Sequence, residues 1–468
     1  MGVPRSSGCM LCVQRRVKCD ERRPGCTRCE TYGRPCPGYE KRFKFVVGKP
    51  FRSQRRLGLS VGQTQGVGEP NIVSSNMRDG SQAIQQSLIQ SGPWSLQSVF
   101  SNLMQSLDIL IDDVSHPFPA SSTYTAARWF NFLPVVYGKN RTLDATIKCF
   151  AAHHVGMMTE NKQAIWFARS TYVEALNRLQ RSLYNATESL SSEILCAVLL
   201  QCLYELFANT YDATSWMKQA KGLSQLVEAR GCGRYQTEFE HTLLKASRGL
   251  IVMHSVFSGE KCFLASSDWH TVMRQQFDFT LAAELYVLVE DLFGFYTAIP
   301  SLLHQLYGFK KEASEGATTR SRASELLTQA LDIQDKLAAW YEKLIHAVPP
   351  PTESLSSMRD TLYPIVYSFS DVDTATIFSA YYSYMAIIHA ALRLCQYPGD
   401  HAAMVAYFRD QICKSVEYNA RGLLGPYRLG FPLRVAYEFA DPVTKVWVES
   451  WLQRLSRTYA AMLPRNYR

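Results

Sequence analysis

The sequence predicts two unlike units: a small N-terminal binuclear metal cluster built from two short helix-loop halves, followed by a large all-α domain. Three observations predict this. Six of the 13 cysteines fall near the N-terminus in a unit that occurs twice. The excess positive charge is confined to the same end of the 468-residue chain. From Trp94 onward, apolar residues recur at helical spacing and strand signals are few.

The repeated unit is C-x2-C-x6-C, read first as Cys9, Cys12 and Cys19 and again as Cys26, Cys29 and Cys36. A two-residue gap lets both thiolates of one turn face a single metal, and six residues suffice for a short helix before the third ligand returns. Zinc favours four ligands in a tetrahedron. Two ions need eight metal–sulfur bonds, which six thiolates supply if two of them bridge. One bridge from each half gives a compact, pseudo-symmetric core. The competing readings are a disulfide scaffold and a single four-cysteine zinc site with two spare thiols. The start MGVPRSSGCM lacks the apolar run of an export signal, which disfavours disulfides. So small a segment cannot bury enough apolar surface to fold unaided. Metal binding, about 10–16 kcal/mol for structural zinc in small peptides, would be its folding energy. The other cysteines (149, 196, 202, 232, 262, 395 and 413) are scattered without a C-x-x-C pair and read as small buried apolar residues.

Residues 1–56 hold 15 lysines and arginines against 4 acids, whereas the other 412 residues hold 35 against 37. A basic tip on a near-neutral body is the charge pattern of a nucleic-acid-binding segment. Arg15, Arg16 and Lys18 lie between Cys12 and Cys19, whereas the second half has only ETYGRP at that place. The halves are thus alike as metal binders and unlike as presenters of cations. A helix of the first half is expected to lie in the major groove of double-stranded DNA, its cations reaching guanine O6 and N7 or flanking phosphates.

The spacing C-x2-C-x6-C-x6-C-x2-C-x6-C resembles that of the fungal binuclear zinc-cluster transcription factors. That resemblance covers residues 9–36 and implies two Zn2+ ions, with Cys9 and Cys26 as bridging thiolates. Cys12 and Cys19 would complete one ion, and Cys29 and Cys36 the other. It further implies that Lys18, beside the third cysteine, reads bases, that CGG-type triplets are the target, and that Pro24 sets the turn between halves. Relatives commonly show C-R-x-R-[KR]-x-K-C here; Val13 replaces the first basic residue, so one phosphate contact is expected to be missing.

The domain-like cluster is expected over 1–40, a linker over 41–93 and the helical domain over 94–468. Within the linker, Lys41-Arg42 and Arg55-Arg56 are spaced as a bipartite nuclear import signal, and equally as an arm along DNA phosphates. Residues 57–93 are rich in Gly, Gln and Ser and read as flexible linker. No heptads follow the cluster. The stripe Leu326, Ala330, Ile333, Leu337, Trp340, Leu344 has coiled-coil spacing, but Leu327, Leu331, Tyr341 and Ile345 widen it into the face of a core helix. Monomeric DNA binding and a homodimer formed through the large domain both fit.

In that domain, residues 94–113 form an amphipathic pattern, and SSEILCAVLLQCLYELF reads as a buried helix with Ser191 or Ser192 at its N-cap. WMKQAKGLSQLVEARG should stop at Gly231. VPPP at 348–351 breaks the helical run, and ATIFSAYYSYMAIIHAALRL at 375–394 is apolar nearly all round, as a central helix rather than a membrane span is. The run from Tyr204-Glu205 through Trp216, Gly222 and Arg230-Gly231 to Trp269 is similar to the helical regulatory region of the same fungal regulators. The similarity implies packing positions and a scaffold for transcription machinery, co-regulators or a small-molecule effector. No H-E-x-x-H, G-x-S-x-G, P-loop or dinucleotide fingerprint is present, and His153-His154 lies in an apolar helix, so an enzyme is not expected. The expectation is a nuclear, sequence-specific regulator of RNA polymerase II transcription. PGY after the last cysteine resembles the form frequent among fungal regulators of metabolic gene clusters, and that resemblance implies control of such a cluster. The alternative is an interaction scaffold that has lost specific DNA binding.

Overall fold

The structure, a computed structural model, describes residues 11–12, 15–20, 22, 26–34, 36, 103–115, 125–208, 215–277, 283–314 and 320–467. The expected linker, with Lys41, Arg42, Arg55 and Arg56, and the first residues of the 94–113 pattern lie outside them, as do Cys9, Val13 and Pro24. Two compact units divide the chain, Met1–Phe45 and Val46–Arg468.

In the first unit, among the described residues, Leu11 and Cys12 are helical and α1 spans Thr27–Thr31. The second begins with α2 (Leu103–Ser115), a 3-10 segment Thr125–Phe132, α3 (Leu133–Val136), α4 (Arg141–Met158) and α5 (Lys162–Tyr184). It continues through α6 (Ser192–Phe207), α7 (Ser215–Arg230), α8 (Glu238–Ser258), α9 (Ser267–Met273), α10 (Ala283–Ser314) and α11 (Arg320–Ala347). After a hairpin of β1 (Thr352–Leu355) and β2 (Ile365–Ser368) come α12 (Val372–Leu394), α13 (His401–Asn419), α14 (Gly425–Glu438) and α15 (Pro442–Leu455).

Local chemistry sets many of these boundaries. Asn140, Asn161, Ser191, Asp371 and Asp441 place side-chain oxygens on the first free N–H groups of α4, α5, α6, α12 and α15. Thr237 and Glu240 form a reciprocal capping box at α8. Gly231 ends α7 at φ +68°, the conformation for which the sequence placed a glycine there.

Successive helices pack on one another, α4 on α5, α6 on α7, α7 on α8, and α10 through α14 in turn. Two helices are enclosed. Every residue of α6 from Ile194 to Phe207 is buried, and α12 lies between α10, α11, α13 and α14. Among the described residues two helices are long and apolar enough to span a bilayer, and 83% of the window in α12 is buried within the protein. The stripe Leu326, Ala330, Ile333, Leu337, Trp340 and Leu344 on α11 is buried, and α11 packs on α10 and α12 of the same chain. It is therefore a core face. Trp216, Gly222 and Trp269 are packing positions: Trp216 meets Phe257 edge-on at 5.8 Å, Gly222 is buried, and Trp269 lies 5.1 Å from Phe263.

The β-hairpin was not expected. Its strands pair Thr352 with Ser368 through Leu355 with Ile365, and all four residues of β1 are exposed, so no alternation marks it in the sequence. Tertiary contacts hold the connecting turn. Glu417 of α13 accepts from Ser356 Oγ at 2.7 Å and from Ser357 N at 2.8 Å.

Buried polar groups join the layers. Lys245 and Arg248 of α8 share the carboxylate of Glu290 on α10, with Lys245 Nζ 2.9 Å from Oε1. Burial carries Lys245 down to about 8 against the pull of Glu290. The same burial pushes the Glu290 carboxyl up, but Arg248 and Lys245 outweigh it and leave it below its usual value. His153 and His154 are buried on α4. His153 packs edge-on against Tyr204, burial taking it to about 4, and His154 Nε2 lies 2.8 Å from Asp113.

Candidate metal centre and nucleic-acid interface

In the first unit, a two-residue step between cysteines creates a single helical turn whose first N–H groups need acceptors. Cys26 takes the N-cap position of α1, and its Sγ accepts from Cys29 N at 3.4 Å. The turn closes in a Schellman arrangement: Gly33 N donates to Glu30 O at 3.0 Å, Arg34 N donates to Cys29 O at 3.3 Å, and Gly33 has φ +70°. The first half repeats this seventeen residues earlier. Val17 N donates to Cys12 O at 3.1 Å, and Arg16 has φ +55° at the position equivalent to Gly33. The sequence repeat is therefore a backbone repeat also.

Sulfur positions follow from these two turns. Cys12, Cys26 and Cys29 are buried and bring their sulfurs within 4.8 Å of one another, with Leu11, Cys19 and Cys36 packed around them. Cys26 Sγ lies 3.6 Å from Cys12 Sγ and 4.0 Å from Cys36 Sγ. Those separations are far longer than the ~2.05 Å of a disulfide. They bracket ~3.8 Å, the edge of a sulfur tetrahedron with ~2.3 Å zinc–sulfur bonds. Cys26 is close to thiols of both halves, as a sulfur shared by two ions must be, and Cys19 lies within 4.8 Å of it as well. The donor set fits zinc.

Arg15, Arg16 and Lys18 do not project from the helix expected to carry them. Leu11 and Cys12 are helical, Arg15 and Arg16 form a turn in which Arg16 is left-handed, and Lys18 lies beyond it, with Arg16 and Lys18 exposed. The reason is length: the six-residue segment must turn back to deliver Cys19 to the sulfur cluster, so it cannot stay helical. Arg15 is half-buried, its guanidinium carbon 3.3 Å from the centre of the Tyr32 ring. Tyr32 occupies the position in the second half equivalent to Arg15, so the cation–π contact joins the halves across their pseudo-symmetry.

The contacts of two residues were not expected from the sequence. Tyr32 could have been found by superposing the two C-x2-C-x6-C units, which sets it opposite Arg15. Asp20 is the other: its carboxylate accepts from Thr27 N at 3.2 Å and from Thr27 Oγ1, tying the end of the first half to the start of α1. The Thr27 hydroxyl bond holds the Asp20 carboxyl below its ordinary pKa. No short-range pattern marks that closure.

Comparison with known proteins locates both units. The model of the fungal Zn(2)-Cys(6) binuclear cluster domain matches residues 7–44, and that of the fungal specific transcription factor domain matches residues 112–464. A transcription regulator of Emericella nidulans, described as specific to the aspercryptin biosynthesis cluster, is 61% identical over 33 residues, 7% of this chain and 5% of that protein. White-opaque regulator 2 of Candida albicans is 50% identical over 59 residues, 13% of each chain. The alignments thus span a small fraction of both relatives. No solved structure matches the chain.

Proposed function

Because this chain belongs to the fungal specific transcription factor family and carries a Zn(2)-Cys(6) domain that binds two zinc ions, we propose that it regulates transcription by reading CGG-type sites through Lys18, with Arg16 on the flanking phosphates. Bound zinc supplies the folding energy that so small a segment lacks. Cys9, Cys12, Cys19, Cys26, Cys29 and Cys36 are its ligands, with Cys9 and Cys26 shared. The observation that carries the reading is the short turn ending at Arg16. Closing the sulfur cluster forces the chain out of the helix and sets two exposed cations beside it.

In this arrangement Lys18 meets guanine edges, whereas Arg16 and the neighbouring basic residues meet phosphates, which position without specifying. Arg15 acts at one remove, by holding the two halves in register against Tyr32. The protein works in the nucleus, with Lys41-Arg42 and Arg55-Arg56 as its import signal, and the helical domain receives co-regulators. Control of a metabolic gene cluster is supported by the printed role of the Emericella relative.

A duplex-shift assay with the full chain tests this. A CGG-containing duplex should be bound well above a scrambled one, and a zinc chelator should abolish the difference. Lys18→Ala should cost about 1–3 kcal/mol on the specific duplex and little on the scrambled one. Equal losses on both would make Lys18 a phosphate contact. No preference in the native chain would favour a co-regulator scaffold instead.

A further inference from the structure

The helical unit contains a feature that DNA binding does not use. A cavity of about 370 Å³ lies where α6, α7, α8, α10, α12 and α14 converge with the C-terminal turns 459–467. This is within the size range of sites that enclose a small molecule. Its walls are unusually rich in flat rings, among them Trp216, Phe257, Phe293, Tyr296, Tyr384 and Phe431.

Two glycines, Gly249 and Gly430, are part of its wall. A Cβ on Gly249 of α8 would come 2.8 Å from the Tyr427 hydroxyl, so only glycine lets that ring cross the helix unshifted. A Cβ on Gly430 of α14 would meet nothing within 4 Å, and the Gly430 carbonyl is occupied by Tyr467 OH at 3.3 Å. A packed core would have filled this volume.

The polar lining has one sign. Arg428, Arg434 and Arg465 contribute to it, and no Asp or Glu does among the described residues. Arg428 is buried and committed to the end of α13, donating to Asn419 O at 3.0 Å. Arg434 is half-buried and uses Nη1 on Asn466 O at 3.0 Å, with its guanidinium 5.6 Å from the Tyr467 ring. Arg465 is exposed. The cavity thus has an aromatic interior and a cationic side formed by Arg434 and Arg465.

We propose that this cavity is a binding site for a flat, mainly apolar small molecule carrying one anionic group, the rings enclosing its body and Arg434 with Arg465 receiving the anion. Such a ligand matches both halves of the lining: apolar area is removed from water, and the anion meets guanidinium groups. The site joins helices from the two buried layers, α6 to α8 and α10 to α14, so occupancy stabilises their mutual packing. As an effector site it rests on the transcription-regulator reading; as a binding site it does not.

The test uses the purified full chain and two fluorescent probes of nearly equal shape, anionic 1-anilinonaphthalene-8-sulfonate and neutral N-phenyl-1-naphthylamine. The native chain should bind the sulfonate at one saturable site and raise its thermal midpoint. It should bind the neutral probe about tenfold more weakly, what one charge-assisted hydrogen bond contributes. Arg434→Gln and Arg465→Gln should each narrow that ratio, which a merely structural role would not do. Ala380→Trp and Gly430→Leu, on different walls, should each abolish saturable binding while circular dichroism reports an intact helical fold. Equal affinity for the two probes in the native chain, or binding untouched by a folded filling variant, overturns the proposal. Because no DNA is present, failure here and failure of the duplex-shift assay are separate results.

Discussion

Replacing Arg16 with glycine should improve the metal knot and weaken its grip on DNA. Arg16 occupies the left-handed region at φ +55°, where its symmetry counterpart is Gly33 at φ +70°. A side chain there costs about 1–2 kcal/mol. Glycine removes that strain but gives back about 0.4–1 kcal/mol through the freer unfolded chain. The net gain of about 0.5–1 kcal/mol corresponds to two- to fivefold better zinc retention, since metal binding and folding are one equilibrium. The cation is lost at the same time. If Arg16 contacts one phosphate, the salt slope of log K falls by about 0.9, so the variant's affinity declines about 3.5-fold less than the native chain's between 50 and 200 mM salt. Arg16→Ala is the control, because it loses the charge and keeps the strain. Chelator competition measures retention, and anisotropy titrations at the two salt concentrations measure the slope. Retention no better in Arg16→Gly than in Arg16→Ala would refute the backbone account, and an unchanged slope would refute the phosphate contact.

A double-mutant cycle on Arg15→Ala and Tyr32→Ala, read as zinc retention, should give a coupling of about 0.5–1 kcal/mol; additive losses would show the stack contributes nothing. Glu290→Gln leaves Lys245 and Arg248 buried without their shared carboxylate, and should cost about 3–5 kcal/mol, lowering Tm by about 4–7 °C in a helical unit of this size. Burial holds His153, His241 and His389 neutral in the folded state, each near 4. The unfolded chain, with histidine near 6.5, therefore binds more protons as pH falls, and stability drops from about pH 6.5 toward 4. Tm should be lower at pH 5 than at pH 7, a window in which carboxylates stay ionised; a flat profile would contradict the buried, neutral histidines.

Of the long helices, α6, α7, α11 and α12 were legible from apolar patterns carried within their own sequence. Gly231 after VEAR needed no tertiary information, the sequence narrowed the N-cap of α6 to Ser191 or Ser192 with the structure taking Ser191, and the stripe on α11 already pointed by its width to a core. The hairpin at 352–368 was hidden because β1 is exposed at every position and its turn is anchored by Glu417, sixty residues away.

In the metal unit, the sequence alone showed two like groups of three thiols, and a two-residue step lets both thiolates of one turn face a single ion. Charge alone showed that the run of cations lies in the first half only. What the sequence could not contain was the path between Cys12 and Cys19. Only closure of the sulfur cluster forces Arg16 left-handed, stacks Arg15 on Tyr32 and ties Asp20 to Thr27. The cavity belongs to the same class, since six helices and the C-terminal turns must meet before an empty space between them exists. Periodicity reports which face of a helix is apolar, whereas what meets that face, or fails to fill it, is decided by chain segments up to hundreds of residues apart.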